Sequence, residues 1–468
     1  VTHTIAFIII APLFFAIMAF VFKEVASFIG VIFASLWLGL CTVLFLQSLD
    51  ASVSYSFAGL NAPLGIEFMA SSVNSSILMA SSFIVFMSTW YAFLYLKKTK
   101  HQLFFALSAF LCSGLGILFL SNDIFNLYVG LEMVGLSAVS LSALSANKKS
   151  IAASMHYFFA TLMASGIYLF AVVLLYIQYS TLHLQTLALE VVDNTITMVA
   201  FICIVLALII KTALFPFHSW LIQAHSNALT PVSALLSAVV IKSSFYLLYQ
   251  MSFSIFSFET TILYMIGYLG VFAIFYGGFH AFFATQLKVL IAYSTISQVG
   301  YLLMLFAFHS NTLAMHASLF MVFSHMFAKA GLFLIAGVLI ASSQSKRISE
   351  LKGIGYIKPL AVFTIALSAI SLIGFPPTLG FSGKWYYLQA ALQNQQWFLL
   401  IAILLSTFIT AAYFFKLIIL TLQPISKNKH FMTLPHAFSL QLIAFILSLC
   451  SLIFGLFSSS ILAMLQGV

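Results

Sequence analysis

Five lysines and one glutamate stand inside apolar runs: Lys211, Lys242, Lys329, Lys384, Lys416 and Glu132. An ionisable group at the centre of a membrane helix costs roughly 2.5–3.5 kcal/mol on insertion scales, a cost leucine does not carry. Lys211, Lys242 and Glu132 lie about ten or more residues from either end of their runs, too far for a side chain to snorkel to water. Lys416, four or five residues from the end of its run, is open to both readings. Glu132 pairing with a lysine to hold helices in register accounts for part of the set. One carboxylate cannot neutralise five ammonium groups. A desolvated lysine can give up its proton, whereas arginine stays charged. The chain's one arginine, Arg347, is in a loop, so the buried residue types suit a proton relay rather than a voltage sensor. His218, His225 and His325 flank the lysines, and His325 and Lys329 share a helix face in "FSHMFAKAGLFL". Twelve histidines also raise b-type haem ligation, but no pair has a distinctive spacing, and no cofactor or metal is expected.

The elements that position these groups follow from composition. Of 468 residues 63% are hydrophobic and 6% charged, and the mean hydropathy is +1.15. A soluble domain carries about 25% charged residues, so the chain is expected to be an all-α polytopic membrane protein. Apolar stretches of the ~20 residues that cross a bilayer recur fourteen times, among them 123–145, 196–222, 231–251, 312–341, 359–392 and 397–422. Two of these, 312–341 and 359–392, exceed a straight crossing and must tilt, break or extend. The first run, "VTHTIAFIIIAPLFFAIMAF", lacks a basic flank and a small-residue cleavage site and is expected to be a first span. Cys41, Cys112, Cys203 and Cys450 lie singly and read as packing residues.

The net charge of +9 marks topology and not nucleic acid. Lys23, Lys97, Lys98, Lys100, Lys148, Lys149, Lys288, Lys346, Arg347, Lys352, Lys358, Lys427 and Lys429 are thirteen of the eighteen basic residues, and all fall in alternate loops. The intervening loops hold Asp50, Glu67, Asp123, Glu190, Asp193 and Glu259 with no lysine or arginine. Positive-inside bias then puts the basic loops in the cytoplasm and both termini outside.

Two spans carry helix breakers beside an intramembrane lysine. In "KTALFPFHSW" Pro216 interrupts the span of Lys211; in "SLIGFPPTLGFSGKWYYL" Gly374, Pro376 and Pro377 precede Lys384. Proline removes a helical hydrogen bond and disturbs the preceding turn, and membranes tolerate free carbonyls only where they line an enclosed cavity. Interrupted spans in both halves of a chain point to an ion pathway built from repeats.

Several stretches together resemble a known family. "NDIFNLYVGLEMVGLSA", "KTALFPFHSWLIQAHSNALTPVSALLSAVVIK", "LKVLIAYSTISQVGYLL", "SHMFAKAGLFLIAG" and "GFPPTLGFSGKWYYL" occur in order between about residues 100 and 395. They resemble the antiporter-like subunits shared by respiratory complex I, membrane-bound hydrogenases and multisubunit Mrp cation/proton antiporters, and the "GKWYYL" form is most similar to the Mrp D group. The resemblance implies about fourteen transmembrane helices with two inverted five-helix repeats, helices 4–8 and 9–13, and broken helices 7 and 12. It divides the chain into 1–100 (helices 1–3), 101–255 (first repeat), 256–425 (second repeat) and 426–468 (helix 14). It implies that Glu132 modulates Lys211, that Lys242 connects to a hydrated axis, and that Lys329 continues it and Lys384 closes it. His218, His225, His325, Lys288 and Lys416 are supporting candidates. The complex I subunit with a long lateral helix carries a second histidine where Met321 stands here, and its extension is not seen in this sequence.

The expected function is that of a proton-translocating subunit in the inner membrane of a bacterium, working with other membrane subunits on H⁺ and with Na⁺ or K⁺ as the exchanged ion. A pumping subunit of a complex I or hydrogenase-type redox enzyme is the alternative, as is a proton-conducting partner in a bicarbonate uptake complex. No nucleotide loop, flavin motif or C-x-x-C cluster places a redox centre in this chain.

Overall fold

The computed structural model describes residues 3–60, 62, 65–96, 102–256, 260–308, 311–424 and 431–466. Lys97, Lys98, Lys100, Glu259, Lys427 and Lys429 of the charge count lie outside them. Helices dominate, because in lipid each backbone amide of a spanning segment must find its partner within the protein. In order they begin with α1 (His3–Val21) and α2 (Ala26–Asp50), then strands β1 (Val53–Ser56) and β2 (Glu67–Ala70), then α3 (Ser72–Tyr95). Next come α4 (Leu103–Leu120), α5 (Ile124–Ala143), α6 (Lys148–Tyr179), α7 (Leu184–Glu190) and α8 (Thr195–Lys211). Then follow α9 (Ser219–Asn227), α10 (Thr230–Leu235), α11 (Ile241–Ser254), α12 (Thr260–Phe283), α13 (Leu287–Leu303) and α14 (Thr312–Ser343). The chain continues through α15 (Ile354–Ile357), α16 (Pro359–Ile373), α17 (Leu379–Gln393), α18 (Trp397–Leu422), α19 (Ala437–Leu456) and α20 (Ser458–Gln466).

Among the described residues twelve helices are long and apolar enough to cross a membrane, counting Thr230–Ser254 as one. That one is α10 and α11 joined by a π-helical turn at Leu236–Val240, immediately before Lys242. The expected spans 196–222 and 359–392 are each two helices, α8 with α9 and α16 with α17. The span at 312–341 does not break. α14 is 32 residues long with no internal proline, so it runs about 48 Å and outreaches a ~30 Å hydrocarbon core. Side-chain caps fix several starts: Asp123 accepts from the Asn126 amide at α5, Asn147 from Ser150 at α6, and Asn311 from Ala314 at α14.

One element departs from an all-α reading. β1 and β2 pair antiparallel, Val53 opposite Ala70 and Ser56 opposite Glu67. β1 carries a short period-2 signal, Val53, Tyr55 and, just beyond it, Phe57 alternating with serines, whereas β2, "EFMA", carries none.

The chain forms two compact units. The first comprises 1–213, 240–263 and 462–468; in it α1 packs on α4, α2 on α3, α4 on α5, and α6 on both α5 and α8. The second comprises 214–239 and 264–461. It is organised around α14, which packs against α10, α13, α16, α17 and α19 and is buried over most of its length. That burial on many sides explains why α14 shows no polar face while still holding His325 and Lys329.

The two helix breaks are built alike at their start. α8 stops at Lys211, and Ala213 takes up a left-handed backbone (φ 54°). α16 stops at Ile373, and Gly374 does the same (φ 88°). Glycine adopts this conformation without steric cost, whereas alanine at φ 54° carries the Cβ clash of the left-handed region. The Phe215–Pro216 and Pro376–Pro377 peptide bonds are both cis.

Candidate functional site

In the first unit the structure brings Glu132, on α5, to Lys211, on the last turn of α8, with Nζ 4.0 Å from Oε1. The lysine also donates to Thr161 Oγ1 of α6 at 2.8 Å. This places the ammonium between a neutral hydroxyl at full hydrogen-bond distance and a carboxylate just beyond it. Glu132 Oε1 is itself buried and makes no hydrogen bond in the structure. The pair therefore has electrostatic attraction without the hydrogen bond that would lock it. A small movement of either side chain makes or breaks the contact.

Gly135 opens the space for this arrangement. A Cβ there would stand 2.8 Å from Thr161 Oγ1 and 3.6 Å from Lys211 Nζ. Gly135→Val is expected to push Thr161 off Lys211 and lower pH-gradient-driven transport about tenfold, the value of one lost hydrogen bond to a charged group. Gly166→Val on α6, where a Cβ meets nothing within 4 Å, should leave the rate unchanged in the same vesicle assay.

Lys242 is completely buried, one residue into α11 beyond the π-helical turn. Such turns widen a helix by one residue and recur at functional sites.

In the second unit Lys329 is fully buried on α14 and reaches across to α13, donating to the Ile291 carbonyl at 3.1 Å and to Ser294 Oγ. His325, one turn earlier on α14, is buried as well. Lys384, on α17, donates to the Ile373 carbonyl at 2.9 Å and to Thr407 Oγ1 at 3.1 Å. Its ammonium also lies 4.5 Å from the centroid of the Tyr301 ring, within cation–π range. Here the helix break supplies an acceptor directly: Ile373 is the last residue of α16, and its carbonyl has no helical partner. Gly374 is required twice over at this point, for its positive φ and because a Cβ would sit 2.8 Å from Lys384 Cδ. The first break works differently. The carbonyls of Leu208, Ile209 and Ile210 are taken by Thr212 and Ala213 of the same turn, so Lys211 turns to Thr161 instead.

Three lysines differ in burial from their sequence reading. Lys288, a loop residue and supporting candidate by its sequence, is the second residue of α13, buried, with Nζ donating to the Ala228 carbonyl at 2.8 Å and to Ser233 at 3.4 Å. Lys416, an intramembrane group by its sequence, is exposed near the end of α18, where it donates to the Phe282 carbonyl at 2.9 Å. Lys358, another loop lysine in the count, is buried at the start of α16.

The histidines divide. His218 Nε2 is 3.1 Å from Tyr276 Oη on α12, while His225 stacks on Phe333 with ring centroids 4.6 Å apart. Thr161, Ser294, Tyr301, Thr407 and Tyr276 are contacts that sequence reasoning did not find. They are isolated hydroxyls and aromatic rings with no spacing of their own, and they reach the charged groups only through tertiary packing.

Residues 121–410 match the sequence profile of the NADH:quinone oxidoreductase/Mrp antiporter transmembrane family. The chain belongs to that family. The matched segment includes Glu132, Lys211, Lys242, Lys288, Lys329 and Lys384 and stops short of Lys416. Within the NADH:quinone oxidoreductase/Mrp antiporter family, the chain is 33% identical over 373 residues to the N subunit of the NADH-quinone oxidoreductase of Desulforudis audaxviator (strain MP104C), covering 78% of this chain and 74% of that one. It is 24% identical over 392 residues to the D subunit of the Na(+)/H(+) antiporter of Bacillus subtilis (strain 168), covering 83% and 78%. A chain of the Mrp complex from Dietzia sp. DQ12-45-1b has the same fold, with a TM-score of 0.91 at 22% identity over 100% of this chain and 96% of that one. The protein is a multispan integral membrane protein.

Proposed function

We propose that this chain is the proton-translocating subunit of a multisubunit complex in a bacterial inner membrane, exchanging H⁺ for Na⁺ or K⁺ in the manner of an Mrp-type antiporter. The observation that carries the reading is the Lys211–Glu132 pair, 4.0 Å apart and held off hydrogen-bond distance with Thr161 on the other side of the ammonium. An opposite charge at this range favours the ammonium form. Moving Glu132 toward Lys211 loads the lysine with a proton, and moving it away releases one. Lys242 receives that proton in the first unit, and in the second Lys329 and Lys384 carry it onward, with His325, His218, His225 and Lys288 in support. Thr161, Ser294 and Thr407 are neutral hydroxyls whose oxygens accept from an ammonium; Ser294 and Thr407 give their own hydrogens to the Ile291 and Ile403 carbonyls and partner a free amine only by turning from them. The proposal includes fourteen crossings with the two broken pairs counted as one each, two inverted repeats at 101–255 and 256–425, and both termini outside.

A second reading has its own support. The relative named as the N subunit of an NADH-quinone oxidoreductase is 33% identical, against 24% for the D subunit of the antiporter. In that case the same relay pumps protons under redox drive supplied by other subunits.

Purification of the intact complex from native membrane and reconstitution into vesicles separates the two. An imposed pH gradient that drives Na⁺ or K⁺ uptake supports exchange. Acidification driven by NADH and quinone, without cation exchange, supports the pumping reading. Vesicles that move no protons under either condition contradict both.

A further inference from the structure

The second unit contains a cavity of about 450 Å³ that the relay does not use, lined among others by Arg347, Lys416, Phe282, Tyr413, Leu417 and Thr285. We propose that it binds the phosphate of an anionic phospholipid headgroup. Its position is set by helix ends. α12 finishes at Phe283 and α13 starts at Leu287, while Arg347 follows the end of α14 and Lys416 lies near the end of α18. The turn at Ile348–Leu351 packs on both α14 and α18 and is tied to the connection ahead of α13 by Ile348 N donating to the Thr285 carbonyl at 2.9 Å. Ends of spanning helices lie at headgroup depth in a bilayer, and the volume falls in the range of small-molecule sites.

The chemistry of the lining selects the ligand. Arg347 is the chain's only arginine, and a guanidinium fork matches phosphate oxygens in pairs. Lys416 is fixed by its bond to the Phe282 carbonyl and by the Phe282 ring 4.7 Å away, which leaves further donors on its ammonium for an anion. Among the described residues neither cation forms an ion pair, and no carboxylate lines the cavity. Two cations lining one cavity with no carboxylate in its wall suit an anion. Phe282, Leu290, Tyr413, Leu417 and Leu420 make up much of the remaining wall, which suits the glycerol and first methylenes of a lipid and offers nothing to a hydrated free phosphate. Basic pockets between spanning helices bind anionic headgroups on this principle.

The test is native mass spectrometry of the detergent-solubilised complex, titrated in turn with phosphatidylglycerol, phosphatidylcholine and inorganic phosphate. Wild type should hold phosphatidylglycerol on this subunit, and R347Q/K416Q should bind it roughly 30-fold more weakly, as expected for two cations at a membrane surface. K148Q/K149Q removes two exposed charges elsewhere and should bind like wild type. Equal retention of phosphatidylcholine, unchanged binding in R347Q/K416Q, or displacement of the lipid by inorganic phosphate at equal affinity overturns the proposal. Where the double variant does not assemble, a photoactivatable phosphatidylglycerol on wild type decides: cross-links mapping to 282–290 and 413–420 support the site, and cross-links confined elsewhere overturn it.

Discussion

Lys211→Ala, and separately Glu132→Gln, are expected to lower pH-gradient-driven transport by on the order of 10²-fold or more, the range lost when a positioned proton-transfer group is removed. Both variants should still assemble. At 4.0 Å and an effective dielectric of about 20, the carboxylate favours the ammonium by about 4 kcal/mol. A relay that depends on switching this bias stops when either partner is gone. Lys211→Ala removes the proton site itself; Glu132→Gln keeps the shape and removes the bias. Proton flux followed with an interior pH dye in reconstituted vesicles reads both, and wild-type flux in either variant would rule out a loading step at this pair.

The second large effect joins function to stability with opposite signs. Lys329→Met should abolish transport while making the subunit harder to unfold, by on the order of 1–3 kcal/mol. The ammonium of Lys329 is fully buried, and among the described residues it makes no ion pair. A charge so placed is costly, and an apolar chain of similar length recovers much of that cost. Little is left unpaired, because the Ile291 carbonyl keeps Ser294 at 2.8 Å and Thr295 at 3.0 Å as donors. Thermal unfolding of the purified complex gives the sign. A less stable variant would mean that Lys329 is present for structure, and its place in the relay would be lost with that result.

Much of this was legible in the sequence because lipid imposes simple rules. The expected span at 397–422 has the bounds of α18, Trp397–Leu422, and the expected break at Pro216 falls between α8 and α9. A twenty-residue apolar run has few alternatives to a helix, and proline with a left-handed residue has few alternatives to a break. The β1–β2 hairpin escaped although Val53, Tyr55 and Phe57 alternate with Ser52, Ser54 and Ser56, a strand period, because that short run lies between two long apolar spans and reads as their connection. Lys288 reads as a loop residue because it lies one residue inside α13, and nothing local distinguishes a helix end at the surface from one tucked against Ala228 and Ser233. The charged residues themselves stand out because any charge in such a background is costly. Their hydroxyl partners do not, since serine and threonine bonded to the backbone are ordinary in spanning helices. Thr161 lies 50 residues from Lys211, and Ser294 lies 35 from Lys329, distances across which sequence alone carries no register.

The central claim is that the buried lysines work by gaining and losing a proton, not by holding a fixed charge. Lys211→Arg tests it most directly. Arginine keeps the positive charge and the attraction to Glu132 but does not deprotonate in proteins. Proton flux through the reconstituted complex should then fall as far in Lys211→Arg as in Lys211→Ala. Wild-type flux in Lys211→Arg would show that the charge alone suffices, and would contradict the account.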